Sequence, residues 1–170
     1  MESRSRRTLA CALLTLIASF AFASGKPAVL KADRIVIVKS ARTMTLLRSG
    51  KTLKTYKVAL GEHPVGAKMR EGDGKTPEGQ YTISEKNQHS QFHLSLKISY
   101  PSAADRAHAR AAGVDPGGDI FIHGLPPQWA WLGAAQRTKD WTEGCVAVTN
   151  AEIEEIWSMV DVGTPVEIRP

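Results

Sequence analysis

Apolar and polar positions alternate with period two through residues 34–39, 43–47 and 52–59, which predicts strands with one face turned toward a core. Short polar turns, notably Ser49-Gly50-Lys51, separate these runs and point to an antiparallel meander. Seven glycines and prolines between Gly61 and Gly79 then break the alternation and predict a loop. Two more strands are expected at residues 80–85 and 92–100. The period changes at Pro101-Ser102, where Ser102 caps a helix over Ala103 to Ala112 and Gly113 stops it. Residues 119–123 and 146–148 read as short strands. Thr149-Asn150-Ala151-Glu152 is a capping box for a helix whose apolar face carries Ile153, Ile156 and Trp157. A last strand spans 165–169. The chain is therefore mainly β, in one domain, with no repeat or low-complexity tract.

The first residues follow another pattern. Arg4, Arg6 and Arg7 precede an uncharged apolar run from Leu9 to Phe22, and Ala21-Phe22-Ala23 supplies a small-x-small cleavage pattern. The run is short for a membrane span, which needs about 20 apolar residues. The expected organisation is a signal peptide at 1–23, a linker at 24–33 and one folded domain at 34–170, exported to the periplasm or cell wall. No stable membrane span is expected once the signal is cleaved. Cys11 lies inside the apolar run with too little before it for a lipid-attached cysteine.

Charge sharpens this picture modestly. The chain carries +5, and +3 remains once residues 1–23, with three arginines and one glutamate, are set aside. The basic residues are scattered without a long run, which argues against nucleic acid and suits an anionic surface such as a cell wall.

The candidate chemistry lies near the C-terminal end. Outside the export segment Cys145 is the sole cysteine, so an oxidising compartment offers it no internal disulfide. It follows Thr142-Glu143-Gly144, and His123 stands upstream in Phe121-Ile122-His123-Gly124. A thiol of ordinary pKa about 8.5 is mostly protonated at neutral pH, and a neighbouring imidazole can take that proton to give an attacking thiolate. His123 at one strand end and Cys145 at the next strand's start would be held at fixed distance by rigid backbone. Gly144 permits close backbone approach and oxyanion-binding N–H groups, and a carbonyl near Thr142 would orient the imidazole. The plain alternative is a buried, inert cysteine acting as a small hydrophobe.

Three elements in this order, Lys75-Thr76-Pro77-Glu78-Gly79-Gln80-Tyr81, Ile122-His123-Gly124 and Gly144-Cys145-Val146, resemble the L,D-transpeptidase catalytic domain, the YkuD family of bacterial cell-wall enzymes, across roughly residues 34–168. The resemblance implies a β-sandwich or barrel with two or three short helices. It implies Cys145 as nucleophile and His123 as base and later acid, with the backbone at Gly144 as part of the oxyanion hole; Thr142 and Glu143 join Gly144 as oxyanion and orientation candidates by their place in the same turn. The implied substrate is a diaminopimelate-containing peptidoglycan stem peptide, with an amine acceptor or water completing the reaction. No cofactor or metal is implied.

Two positions depart from the family pattern Ser/Thr-His-Gly-Cys-apolar-Arg. Glu143 replaces the second histidine and Ala147 replaces the arginine, and Thr142-Glu143-Gly144-Cys145 resembles a branch that includes a hydrolase. Glu143 would raise the His123 pKa, repel an acceptor carboxylate, or face solvent. Gly124, Trp141, Lys75 and Tyr100 are substrate-binding candidates. Lys68, Arg70 and Lys75 would contact stem carboxylates or form a solvated cluster, and Trp129, Trp131 and Trp141 would form a lid or pack as anchors. His89 and His93 read as surface or groove residues, and Asp73-Gly74-Lys75-Thr76 lacks the spacing of a phosphate loop. Three functions remain: acyl transfer, hydrolysis by the same thiol, and a wall-binding module with an inert thiol.

Overall fold

The computed structural model describes residues 29–170. The expected signal peptide and residues 24–28 of the expected linker lie outside the described residues. The alternating runs become strands β1 (Arg34–Val38), β2 (Thr43–Arg48) and β3 (Lys51–Lys57), paired as an antiparallel meander. Then come β4 (Gly79–Asn87), β5 (Ser95–Ile98), helix α1 (Ala103–Ala112) and β6 (Phe121–His123). A 3₁₀ segment (Pro127–Thr138), β7 (Val146–Ala147), helix α2 (Asn150–Met159) and β8 (Pro165–Arg169) complete the order. All eight strands join one sheet in the order β3-β2-β1-β8-β4-β5-β6-β7, curled into a half-barrel.

Alternation explains the core. Ile35 and Ile37 of β1, Met44 and Leu46 of β2, Tyr81 and Ile83 of β4, and Val166 and Ile168 of β8 point inward, two residues apart on each strand. α2 closes over the core with Ile153, Ile156 and Met159, one helical turn apart. Its N-terminus is fixed by the Thr149–Glu152 capping box, and α1 begins with the matching Ser102–Asp105 box. The curl brings the sheet's two outer edges together. Just beyond β3, Ala59 exchanges both backbone hydrogen bonds with Ala147 of β7, at 3.0 and 2.8 Å.

Several strands differ from their sequence-based boundaries by one to three residues at an end. The strand expected from residue 92 begins at Ser95, because His93 adopts a left-handed φ of 73°. The 3₁₀ segment was not foreseen, since it shows little helical periodicity and kinks at Gly133.

The loop at 61–79 is held by buried cations. Lys39, 2% exposed, donates to the carbonyls of Gly66 (2.6 Å) and Thr76 (2.8 Å) and to the Glu78 carboxylate (2.8 Å). Lys68, also buried, bonds Asp73 Oδ1 at 2.9 Å and the Arg70 carbonyl at 3.1 Å. Lys68 is therefore neither a solvated charge nor a substrate contact; it staples the loop to itself.

Candidate active site

β6 and β7 are parallel neighbours, with Ile122 opposite Val146 and His123 opposite Ala147. Stepping back one residue sets Cys145 beside Phe121. Period two then puts Phe121, His123 and Cys145 on the same face of the sheet. That face lines a groove of about 750 Å³, to which Phe92, Asp119, Trp129, Trp141 and Glu143 also contribute.

His123 is 3% exposed and tightly oriented. Its Nδ1 lies 2.7 Å from the carbonyl oxygen of Gly124. A carbonyl only accepts, so Nδ1 carries the proton and Nε2 presents its lone pair. The ring packs between Phe92, 4.5 Å between centroids, and the edge of Trp141 at 5.9 Å. Burial holds the imidazole pKa down to about 4, partly opposed by the Gly124 bond. The orienting carbonyl is thus Gly124's, not one near Thr142. The Thr142 carbonyl is taken by the N–H of Glu62 at 2.9 Å.

The Cys145 sulfur accepts from the N–H of Phe121 at 3.4 Å and lies 3.7 Å from the Asp119 carbonyl. Burial pushes the thiol up to about 11; the Phe121 N–H opposes this and the Glu143 charge adds to it. Both shifts favour a neutral thiol and a neutral imidazole over a preformed thiolate–imidazolium pair. Such a pair suits proton transfer concerted with attack, where the ionic form arises only as the substrate bond forms.

The turn before Cys145 is locked by Thr142. Its hydroxyl donates to the Cys145 carbonyl at 2.8 Å and accepts from the Gly144 N–H at 3.1 Å. Gly144 has φ of 135°, and a Cβ there would lie 2.6 Å from the Lys75 carbonyl oxygen. Glycine is needed for this close approach, but its N–H is already engaged. Among the described residues no acceptor meets the Cys145 N–H, which leaves that group for a developing oxyanion.

The other predicted residues divide. Trp141 lines the groove, with its indole N–H donated to Gln136 at 2.8 Å, and Trp129 packs edge-on against it at 5.3 Å. Trp131 stands away from this pair and is largely exposed. Gly124 is buried, and a Cβ there would meet Asn150 Oδ1 at 2.6 Å, so it serves the imidazole and not the groove wall. Lys75 contributes its backbone beneath Gly144 but does not line the groove. Tyr100 is a core residue, packed edge-on to Tyr81 and donating its hydroxyl to the Pro116 carbonyl at 2.7 Å. Glu143 is exposed at the groove; its charge acts on the thiol and is absent from the influences on His123. His89 lines the groove and His93 pairs with Glu154 at 2.7 Å.

Sequence reasoning missed Phe92, Asp119 and Gln136. Gln136, buried, accepts from Trp141 and reaches the Ala147 carbonyl at 3.4 Å, tying the 3₁₀ segment to β7. No motif marked it. Among the described residues, no group of three or more His, Cys, Asp or Glu gathers as a metal site, and no helix is long and apolar enough to cross a membrane.

Comparison with known proteins agrees with this architecture. YafK of Escherichia coli K12, which carries the provisional name of an L,D-transpeptidase, is 33% identical over 134 residues, covering 74% of this chain and 46% of its own. The helical cell shape determining protein Pgp2 of Campylobacter jejuni superposes with a TM-score of 0.61 at 24% identity, covering 85% of this chain and 51% of its own. An L,D-transpeptidase from Mycobacterium smegmatis shares the fold with a TM-score of 0.55 at 16% identity, covering 82% of this chain and 59% of its own. The chain thus spans about half the length of YafK and Pgp2. The L,D-transpeptidase catalytic domain profile matches residues 32–168, and the chain belongs to that YkuD family.

Proposed function

We propose that this chain is an exported cysteine acyltransferase that acts on peptidoglycan stem peptides through a Cys145 thioester. The observation that carries the reading is the shared face of β6 and β7, on which Cys145 and His123, with its Nδ1 held by the Gly124 carbonyl, both line the groove. In the first half-reaction sulfur attacks the carbonyl of the stem-peptide amide that joins an L-centre to a D-centre, while Nε2 takes the thiol proton. The oxyanion is met by the Cys145 N–H. His123 then returns the proton to the departing amine. In the second half-reaction an amine or water attacks the thioester, and His123 again accepts and hands on a proton. A thioester retains much of the free energy of the old amide, so a new amide forms without ATP. Export follows from the arginines and apolar run of residues 4–23.

One observation favours water as the second reactant. The groove lining includes Glu143 and Asp119 but no lysine or arginine, so an incoming amino acid carboxylate meets repulsion, and water does not. Incubation with purified muropeptides, with and without an added amine, decides between the routes by mass spectrometry of the products. Transfer gives an amine-bearing stem peptide; hydrolysis gives a shortened stem with a free carboxylate. Unchanged muropeptides under both conditions would refute the enzymatic reading.

A further inference from the structure

The Cys145 sulfur is held at rest by backbone groups. Its hydrogen-bond partners among the described residues are the N–H of Phe121, at 3.4 Å, and the carbonyl of Asp119, at 3.7 Å. An N–H only donates and a carbonyl only accepts, so the sulfur accepts from Phe121 and its S–H donates to Asp119. Both groups belong to the turn that leads into β6. Asp119 has φ of 54°, a left-handed conformation that few side chains adopt and that aspartate tolerates.

The turn is anchored on both sides. Downstream, Ile120 is buried and its carbonyl accepts from the Ile98 N–H at 3.0 Å. Upstream, the Asp115 carbonyl accepts from the Glu71 N–H at 2.8 Å, and a Cβ on Gly117 would lie 3.3 Å from the Glu71 Cα. The Asp119 carboxylate is itself pinned by Lys97 at 2.6 Å. The same ammonium lies 5.7 Å from the centroid of the Phe121 ring.

We propose that Asp119 is a positioning residue for the nucleophile: its left-handed turn sets the Asp119 carbonyl and the Phe121 N–H as a two-point clamp on the Cys145 sulfur. The inference rests on the thioester reading above. The two halves of the clamp favour opposite states. The carbonyl holds the thiol hydrogen at rest. The N–H stabilises the negative sulfur that arises as the proton passes to His123 and the S–C bond forms. An ordinary side chain at this position disfavours the left-handed angle by about five- to thirty-fold in conformer population. Because both ends of the turn are anchored, relief of that strain displaces the carbonyl and loosens the sulfur.

The test compares Asp119→Asn, Asp119→Gly and Asp119→Ala. All three lack the carboxylate and its Lys97 pair, while Glu143 and Lys68, the other charges that act on the thiol, stay in place. Asparagine and glycine accept a positive φ and alanine resists it. Acylation by a carbapenem or a muropeptide is followed over a range of donor concentrations and corrected for the folded fraction. The maximal rate should be about five- to thirty-fold higher for the asparagine and glycine variants than for alanine, at the same half-saturating concentration. Equal maximal rates, with only a lower melting temperature for alanine, would reduce position 119 to a structural role and overturn the proposal. A raised half-saturating concentration shared by all three would make the carboxylate a substrate contact and overturn it as well. Iodoacetamide alkylation at about pH 8 reads the clamp without an acyl donor. The Phe121 N–H favours the thiolate, so the asparagine and glycine variants should alkylate faster than alanine. Wild type that forms no acyl-enzyme refutes the thioester reading, and the alkylation ranking then decides the clamp by itself: equal or reversed rates overturn it.

Discussion

The two ends of the curled sheet are built for different tasks. β1, β2 and β8 are five or six residues long, pair along their length and bury an unbroken set of aliphatic side chains. β6 and β7 have three and two residues, and the chain leaves the sheet directly beside His123 and Cys145. Long pairing gives the scaffold its stiffness, while short pairing ends where backbone groups and side chains line the groove. Rigidity reaches the reactive end by other means. The Ala59–Ala147 bridge joins the two sheet edges, and Thr142 bonds both sides of the turn before Cys145.

This contrast breaks most sharply at the reactive pair. His123→Ala should lower the rate of acyl-enzyme formation by roughly a hundred- to ten-thousand-fold, the usual range for a positioned base. Thermal stability should change far less, because removal of the imidazole leaves the paired ends of β1, β2 and β8 untouched. Stopped-flow acylation beside thermal melting checks both halves. An equal loss in rate and stability would show that the histidine serves packing.

Gly144→Ala probes the junction between scaffold and site. The new methyl would press on the Lys75 carbonyl at a backbone conformation that suits glycine, costing about 1–3 kcal/mol of strain. Both melting temperature and acylation should fall, with the acylation loss the greater of the two because Cys145 itself shifts.

On the scaffold side, Lys39→Met removes a buried cation that neutralises Glu78 and satisfies two carbonyls. Leaving those partners unpaired should cost about 3 kcal/mol in denaturant unfolding. The protein that remains folded should retain its acylation rate once corrected for the folded fraction. A large specific loss of rate would instead place the 61–79 loop within the chemistry.

Acidity sharpens the same division. Although burial raises it, the Asp73 carboxyl is held at about 2, because Lys68 and the N–H groups of Met69, Arg70 and Lys75 outweigh that effect. A carboxyl depressed in the folded state stabilises above its unfolded pKa, so this contribution is full above about pH 4 and is lost as pH falls through 2. Asp73→Asn should flatten the stability loss across that window. The site titrates differently: His123 must be neutral to act as base, and with its pKa at about 4 the acid limb of kcat/KM should lie there instead of near 6.5. Alkylation of the resting Cys145 should be slow at neutral pH and rise toward pH 11.

Much of this architecture was legible from alternation and caps. Arg34 to Val38 and Pro165 to Arg169 form strands because their apolar residues recur at period two, and Ser102 and Thr149 start helices because their side chains satisfy local N–H groups. The pairing of His123 with Cys145 on one face was readable from their places at strand ends. Other features depend on distant chain segments and leave no local trace. Tyr100 is buried because Tyr81 and Pro116 surround it, Phe92 meets His123 only across the groove, and Gln136 approaches β7 through an irregular 3₁₀ segment. The resting protonation state was also hidden, since it follows from desolvation by the folded wall and not from neighbouring residue types.

The most direct test of the account is intact-mass analysis of the protein quenched in acid during turnover of a purified muropeptide. The account predicts an added acyl mass that peptide mapping assigns to Cys145, present in wild type and absent in Cys145→Ser. Muropeptide conversion by wild type with no such adduct on Cys145, together with undiminished conversion by Cys145→Ser, would contradict it.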